Sequence, residues 1–439
     1  MARRRREPET ARINAVTHDG RGIAAVSGKK VFVSGALVGE EVRFLRRKLR
    51  RNFDEAELLE VLETSADRIE ARCDAFGRCG GCALQHVSEQ QQQSIKCQTL
   101  KDNLERIGKV TPDTWLPPIT GPGWNYRRRA RLGVKDVPGK GRVLVGFRER
   151  HAPFITDMHR CEVLAKPVDG MIDALSTLIG SLSIRARLPQ IEVAVAENAV
   201  ALVFRVLDPP TDDDAALLQQ FGKANSVRIY LQPGGLDSVE LLYPDAPVEA
   251  LYYTLSEFDI RIEFSPVGFV QINSDINQQM VRHAIDLLAP EPGDRLLDLY
   301  CGIGNFSLPL ARRCREILGV EGDAMLVAAA AGNAALNDLQ NATFRTADLS
   351  KIDGSEAWLR GGWDKLLLDP ARNGAAEVMR LMPVIGAQRI VYVSCHPGTL
   401  ARDAGLLVNE QGYRLEAAGI IDMFPHTAHA ESIAVFEKQ

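Results

Sequence analysis

From Gly293 onward the chain repeats one unit, an apolar strand, a tight loop and a helix, and that repetition restricts this region to a doubly wound parallel sheet. Such sheets hold their ligands beyond the carboxyl ends of the strands. The first strand, Arg295 to Tyr300, runs into Cys301-Gly302-Ile303-Gly304-Asn305, and Phe306 to Cys314 has helical character. Glycines there let the backbone approach a ligand closely. Glu321, at the end of the second strand (Ile317 to Val320), can accept hydrogen bonds from both hydroxyls of a ribose. The turn has neither a third glycine for a pyrophosphate nor a P-loop lysine, so a nucleoside without phosphates, such as S-adenosylmethionine, fits better than NAD or ATP.

Asp348 closes the third strand and can meet an adenine or cap the next helix. Asp369 ends the fourth, in Leu366-Leu367-Leu368-Asp369-Pro370-Ala371-Arg372, where Pro370 fixes an extended turn. The fifth strand, Ile390 to Val393, delivers Ser394-Cys395-His396-Pro397 to the same edge. A packing cysteine belongs inside a strand; a thiol at its reactive end is placed for chemistry.

The chain's 439 residues allow two or three domains. Residues 10 to 63 carry short alternating strands such as Lys30 to Val33 and Glu41 to Phe44 between glycine turns, which reads as a small β-barrel of the oligonucleotide-binding kind or one of purely structural use. Ser88 and Gln91 form a capping box for a helix running to Ile107, ahead of a proline-rich linker from Thr111 to Pro122. Tyr126 to Glu263 is β-rich, with strands at Arg142 to Phe147, Ile191 to Val195 and Ala199 to Val206. Only the first ten residues, with Arg3 to Arg6, read as disordered.

The net charge of −4 is unevenly spread. Residues 3 to 51 hold 14 basic and 5 acidic side chains, and Tyr126 to Arg150 holds 9 against 2. Basic patches on an acidic body suit a protein that grips phosphates, or are solvated faces. No apolar run reaches the roughly 18 residues of a membrane span and no signal peptide opens the chain, so a cytoplasmic protein is expected. Its cysteines should then be thiols. Cys73, Cys79 and Cys82 lie within ten residues around Gly80-Gly81, and Cys161 is the best fourth member for a zinc site or an iron–sulfur cluster. A single C-x-x-C leans toward the cluster, but spacing leaves both open.

Together these residues resemble the RNA uracil-C5 methyltransferase family. The resemblance rests on Phe269-Val-Gln271-Ile-Asn273, Asp298-Leu-Tyr300-Cys-Gly-Ile-Gly-Asn305, Asp369-Pro-Ala-Arg372, Ser394-Cys395-His-Pro397 and Asp422-Met-Phe-Pro-His426-Thr-Ala-His-Ala-Glu431-Ser432. Barrel and cysteine set together are similar to the branch acting on 23S ribosomal RNA; the transfer-RNA branch lacks both. The resemblance implies a Rossmann-like class I methyltransferase domain (93–125 and 264–439), an N-terminal OB-fold barrel of the TRAM type (10–68) and a β-rich central domain (69–92 and 126–263) carrying a [4Fe-4S] cluster on Cys73, Cys79, Cys82 and Cys161. It further implies cofactor contacts from Gln271, Tyr300, Asn305, Glu321, Asp348 and Asp369, Cys395 as nucleophile, Glu431 as base, and uridine 1939 as target. No membrane or obligate protein partner is expected. His396 stands where many relatives have asparagine. A cytosine-C5 methyltransferase, a transfer-RNA enzyme and a noncatalytic iron–sulfur RNA-binding protein are the rival readings.

Overall fold

The computed structural model describes residues 7–17, 19–150 and 152–439; Arg3 to Arg6 lie outside them. At the N-terminus a six-stranded sheet runs in the order Glu9–Arg12, Glu41–Leu49, Phe53–Glu63, Lys29–Ser34, Arg21–Val26, Ala15–Val16. The strand Glu9–Arg12 begins inside the stretch expected to be disordered, because it pairs in register with residues 41–44. Alternate side chains turn inward, and Ile13, Val31, Val33, Val42 and Phe44 form a separate small core. Between the two edge strands Glu9–Arg12 and Ala15–Val16 the Ile13 amide donates to the Glu40 carbonyl (2.9 Å) and the Asn14 amide to that of Ile23 (2.9 Å).

The strand Phe53–Glu63 carries acidic side chains opposite the basic ones of Glu41–Leu49. Arg46 pairs with Glu9 (2.8 Å) and Asp54 (2.6 Å), and Arg43 with Glu60 (2.9 Å). Counted to residue 63, the region holds 14 basic against 10 acidic groups, so the first basic patch is largely answered within its own sheet.

The middle of the chain forms a second six-stranded sheet, ordered Glu240–Tyr243, Arg228–Gln232, Val200–Arg205, Gln190–Val195, Arg129–Val137, Arg142–Gly146. The helices Ile172–Ser181 and Asp212–Asn225 complete this region. The hairpin Leu251–Leu255 with Ile260–Phe264 leads onward.

The C-terminal sheet has eight strands, in the order Ala342–Thr346, Glu316–Glu321, Arg295–Leu299, Lys365–Leu368, Arg389–Ser394, Glu431–Lys438, Tyr413–Ile421, Thr114–Trp115. The first five are mutually parallel; the inner four are mostly apolar and buried, as a sheet covered on both faces requires, while the edge strand Ala342–Thr346 is largely polar and exposed. The strand Glu431–Lys438 inserts antiparallel beside Arg389–Ser394. The proline-rich stretch is not merely a linker, since Thr114–Trp115 extends the sheet edge beside Ala417 and Ala418.

Ser88 caps the helix Glu89–Asn103, accepting from the Gln91 amide, and a wider turn over Leu104–Gly108 carries it to the expected end. The Ser88 amide donates to the Asp67 carbonyl (2.9 Å) rather than to Gln91, so only half of the capping box forms. Phe306 to Cys314 shortens to the helix Ser307–Ala311. No helix among the described residues is long and apolar enough to cross a membrane.

Candidate active site at the carboxyl edge of the sheet

The strands Arg295–Leu299, Glu316–Glu321 and Lys365–Leu368 end side by side, as parallel register demands. The first turns sharply: Tyr300 has φ 65°, Gly302 55° and Gly304 96°. A positive φ at tyrosine is a strained state, which clusters where function requires it. The turn is fixed by Glu321, whose Oε2 accepts from the Gly302 amide (3.2 Å) while Oε1 accepts from those of Gly322 (2.7 Å) and Asp323 (3.2 Å). The acid expected to meet a ribose therefore also shapes the loop beneath it.

The other expected cofactor residues differ in setting. Asn305 exchanges amide hydrogen bonds with Asn277 (2.9 and 3.0 Å) and accepts from the Tyr253 hydroxyl (2.9 Å), so its side chain braces the loop against the preceding hairpin. Gln271 is buried, and its carbonyl accepts from Arg128 Nε (2.7 Å), while neighbouring Phe269 is 68% exposed. Asp348 lies two residues past the strand Ala342–Thr346, is exposed, and is held down to about 2 by Lys351 (2.8 Å) and Ser350. Asp369 follows Lys365–Leu368, and burial pushes its carboxyl up to about 7.

Beside it stands a carboxyl not singled out from the sequence. Asp298 is fully buried, accepts from the Ser307 hydroxyl and leaves Oδ1 without a partner. Burial, then the charges of Asp369 and Glu321, push it up to about 7. An acid inside the apolar run Leu296-Leu297-Asp298-Leu299 was the available signal.

The reactive edge is set by antiparallel register. Ser394 pairs with Ser432, which puts Cys395 and Glu431 at adjoining strand ends. Cys395 is half-buried; burial and the charges of Glu431 and Asp369 raise its thiol, and Arg372 lowers it. Glu431 is buried with Oε2 unpartnered, and burial, aided by Asp369 and opposed by Lys96, pushes it up to about 8. Arg372 reaches His429 Nδ1 (3.3 Å) across the opening between these loops. His396 caps the helix Pro397–Glu410 by accepting the Thr399 amide at Nδ1 (3.2 Å), a role asparagine also fills.

A buried polar belt supports this edge: it ties the Asp422 to His426 motif to the helix Glu89–Asn103, a pairing with no local signal in the sequence. Lys96 bonds Asp422 (2.5 Å) and the Phe424 carbonyl (2.9 Å). Gln92 accepts the His426 amide (2.8 Å), and Trp124 stacks on the His426 ring at 3.9 Å.

The cysteines meet from two segments. Cys73, Cys79, Cys82 and Cys161 line one cavity of about 20 Å³ with Phe76, Phe147 and Met158. All four are free thiols, and burial raises each, Cys82 to about 11 and Cys161 to about 12. Among the described residues no group of three or more Cys, His, Asp or Glu side chains is arranged to hold a metal ion. Cys79 and Cys161 are buried and Cys73 and Cys82 partly so, all four facing the same cavity. A cleft of about 800 Å³ runs from Arg21, Arg47 and Lys48 past Arg150 and Cys82 to Thr427 and His429.

Residues 249–439 match the tRNA (Uracil-5-)-methyltransferase family. The chain is 50% identical over 432 residues to the 23S rRNA (uracil(1939)-C(5))-methyltransferase RlmD of Methylococcus capsulatus, covering 98% of this chain and 97% of that one. It is equally identical, over 446 residues and the full length of both, to the protein of that name in Stenotrophomonas maltophilia. Among solved structures, the Pyrococcus abyssi tRNA (uracil-54, C5)-methyltransferase in complex with S-adenosyl-L-homocysteine superposes with a TM-score of 0.75 at 23% identity, over 98% of this chain and 100% of that one, and shares its fold. Near-complete coverage at half identity extends the likeness beyond the sheet to both N-terminal regions, and the chain belongs to the RlmD family of 23S rRNA (uracil(1939)-C(5))-methyltransferases.

Proposed function

We propose that methylation of carbon 5 of uridine 1939 in 23S rRNA, the activity of this family, proceeds here through a covalent bond between Cys395 and C6 of the uracil. S-adenosylmethionine is the methyl donor. Uracil C5 is too weak a nucleophile to attack a sulfonium methyl directly, so it must first be activated. Addition of the Cys395 thiolate to C6 produces an enolate whose C5 takes the methyl group. Glu431 then removes the C5 proton, the double bond re-forms and the thiolate departs. The observation carrying this reading is the Ser394 to Ser432 register, which brings a thiol and a buried, unpartnered carboxyl to adjoining strand ends.

Gln271, Tyr300, Asn305, Glu321 and Asp369 are the proposed cofactor contacts; Asp348, which the family resemblance adds to them, is exposed and paired with Lys351 and Ser350. Glu321 has the strongest support, since its loop-shaping bonds fix its position. The N-terminal sheet, read as a TRAM-type OB barrel over residues 10–68, and the central region (69–92 and 126–263) would hold RNA along the cleft that Arg21, Arg47, Lys48 and Arg150 share with Asp19, Glu55 and Glu57, delivering it to the methyltransferase region (93–125 and 264–439). The target base must leave its stack, at a cost of a few kcal/mol. The site of action is the cytoplasm.

Cys73, Cys79, Cys82 and Cys161 would hold a [4Fe-4S] cluster. Four soft donors on one small cavity fit such a group in kind and number, and their approach to ligand distance would accompany loss of the thiol protons. Bound there, the cluster would tie the loop of residues 73–82 to the segment bearing Cys161.

Transfer of labelled methyl from S-adenosylmethionine to unmodified 23S rRNA and to transfer RNA tests the proposal. Label in 5-methyluridine at position 1939, absent with Cys395→Ala, is the expected result. Label confined to transfer RNA would overturn the substrate, and a fully active Cys395→Ala would overturn the covalent step.

A further inference from the structure

The helix Glu89–Asn103 precedes the first parallel strand of the sheet, Arg295–Leu299, by almost two hundred residues, yet it sends a cation into the reactive edge. Lys96 is 1% exposed, among the most buried large side chains of the protein. An ammonium so placed is expensive unless its protons are used. Two bonds hold it, to Asp422 Oδ1 and to the Phe424 carbonyl, and both acceptors lie on the segment that leads into Glu431.

Glu431 is buried with Oε2 unpartnered. The charged groups facing it come from three other elements: Asp369 after Lys365–Leu368, Cys395 after Arg389–Ser394, and Lys96 on the helix. Asp422 lies beyond, bound to Lys96. Asp369 and Cys395 are anions when ionised and oppose a charge on Glu431. Among the described residues facing Glu431, Lys96 favours it.

We infer that Lys96 is a positioning residue for the proton-removal step: it locks the 422–430 segment and supplies the fixed positive charge that lets Glu431 act as a carboxylate beside Cys395 and Asp369. This rests on Glu431 being the base. In that step the Glu431 carboxylate takes the C5 proton, the C5–H electron pair becomes the C5–C6 double bond, and the C6–S bond breaks with its electrons returning to Cys395. Glu431 ends as the neutral acid, and no oxidant or further reactant is consumed.

The experiment compares wild type, Lys96→Met and Lys96→Arg on two 23S rRNA fragments with S-adenosylmethionine, one carrying uridine at the target and one carrying 5-fluorouridine. Fluorine at C5 leaves no proton to remove, so the methylated protein–RNA adduct should accumulate without any help from Glu431. Lys96→Met is expected to form that adduct at the wild-type level, which shows an intact fold and nucleophile. On uridine its turnover at pH 7 should fall about tenfold, with the acid limb of its pH profile displaced upward by about one pH unit, the two being one effect. Lys96→Arg, which keeps the charge, should restore the limb. Wild-type turnover and profile in Lys96→Met would overturn the inference, as would loss of adduct and turnover together in both variants. Absence of adduct in wild type would instead overturn the covalent reading of Cys395.

Discussion

The Ala83 amide donates to the His426 carbonyl at 2.8 Å, joining the residue after the last clustered thiol to the segment that ends in Glu431. Leu84 donates to the same oxygen at 2.9 Å, and the Tyr126 hydroxyl to the Pro425 carbonyl at 3.0 Å. The cysteine loop is thus a wall of the reactive edge, although it belongs to another part of the sequence.

Cys161→Ser should therefore impair catalysis without touching a catalytic group. In the proposed cluster Cys161 would be a thiolate ligand, which a serine cannot replace. The variant is expected to lose iron, measured by metal analysis, to unfold at a lower temperature, and to lose at least tenfold in methyl transfer. Full iron content with full activity would rule out Cys161 as a ligand, and wild-type protein purified without iron would rule out the cluster.

Activity should rise with pH. The proposed base must be ionised, and the Glu431 carboxyl, pushed up to about 8, would be mostly neutral at pH 7; the Cys395 thiol is raised as well. The profile of kcat/KM is expected to climb through pH 7 and level off above about 8. A profile flat from pH 6 upward would show that neither proton limits the reaction.

Glu431→Gln separates chemistry from stability. The folded carboxyl sits near 8 against about 4.5 for an ordinary glutamate, so between these values the unfolded chain is ionised while the folded chain pays to remain neutral or to bury a charge. The amide escapes that penalty. Its melting temperature should match wild type near pH 4.5 and exceed it by about 3 °C or more at pH 8, with methyl transfer down by at least about 100-fold. A variant less stable than wild type at pH 8 would mean the carboxylate is satisfied in the fold.

How much of this was visible in the sequence follows from which interactions are local. The parallel strands announce themselves as apolar runs, and Cys395 and Glu321 are legible because a strand end fixes what a side chain can reach. The insertion of Glu431–Lys438 between Arg389–Ser394 and Tyr413–Ile421 was not legible, nor was the edge strand Thr114–Trp115, because pairing across distant segments leaves no periodic trace. Lys96 was missed for the same reason: its partner is 326 residues away and its helix has no apolar stripe to mark the buried face. The N-terminal charge count misled because Asp54 to Glu63, just beyond the basic run, neutralises much of it.

Glu321 and Asp348 were both expected to meet the cofactor, and their surroundings now divide them. Glu321 is half-buried, fixed by three backbone amides and adjacent to the strained turn at Tyr300, so its removal loosens the loop as well as deleting an acceptor. Glu321→Ala is expected to weaken S-adenosylmethionine binding about tenfold or more, as loss of charged hydrogen bonds does, with affinity for 23S rRNA unchanged. Asp348 is exposed and already paired with Lys351 and Ser350, and a surface pair of this kind contributes little. Asp348→Ala should change the cofactor's dissociation constant by less than about twofold. Titration calorimetry on the two variants decides the matter: equal weakening would mean that Asp348 leaves Lys351 when the nucleoside binds, and that its pairing in the free chain is a holding position for a cofactor contact.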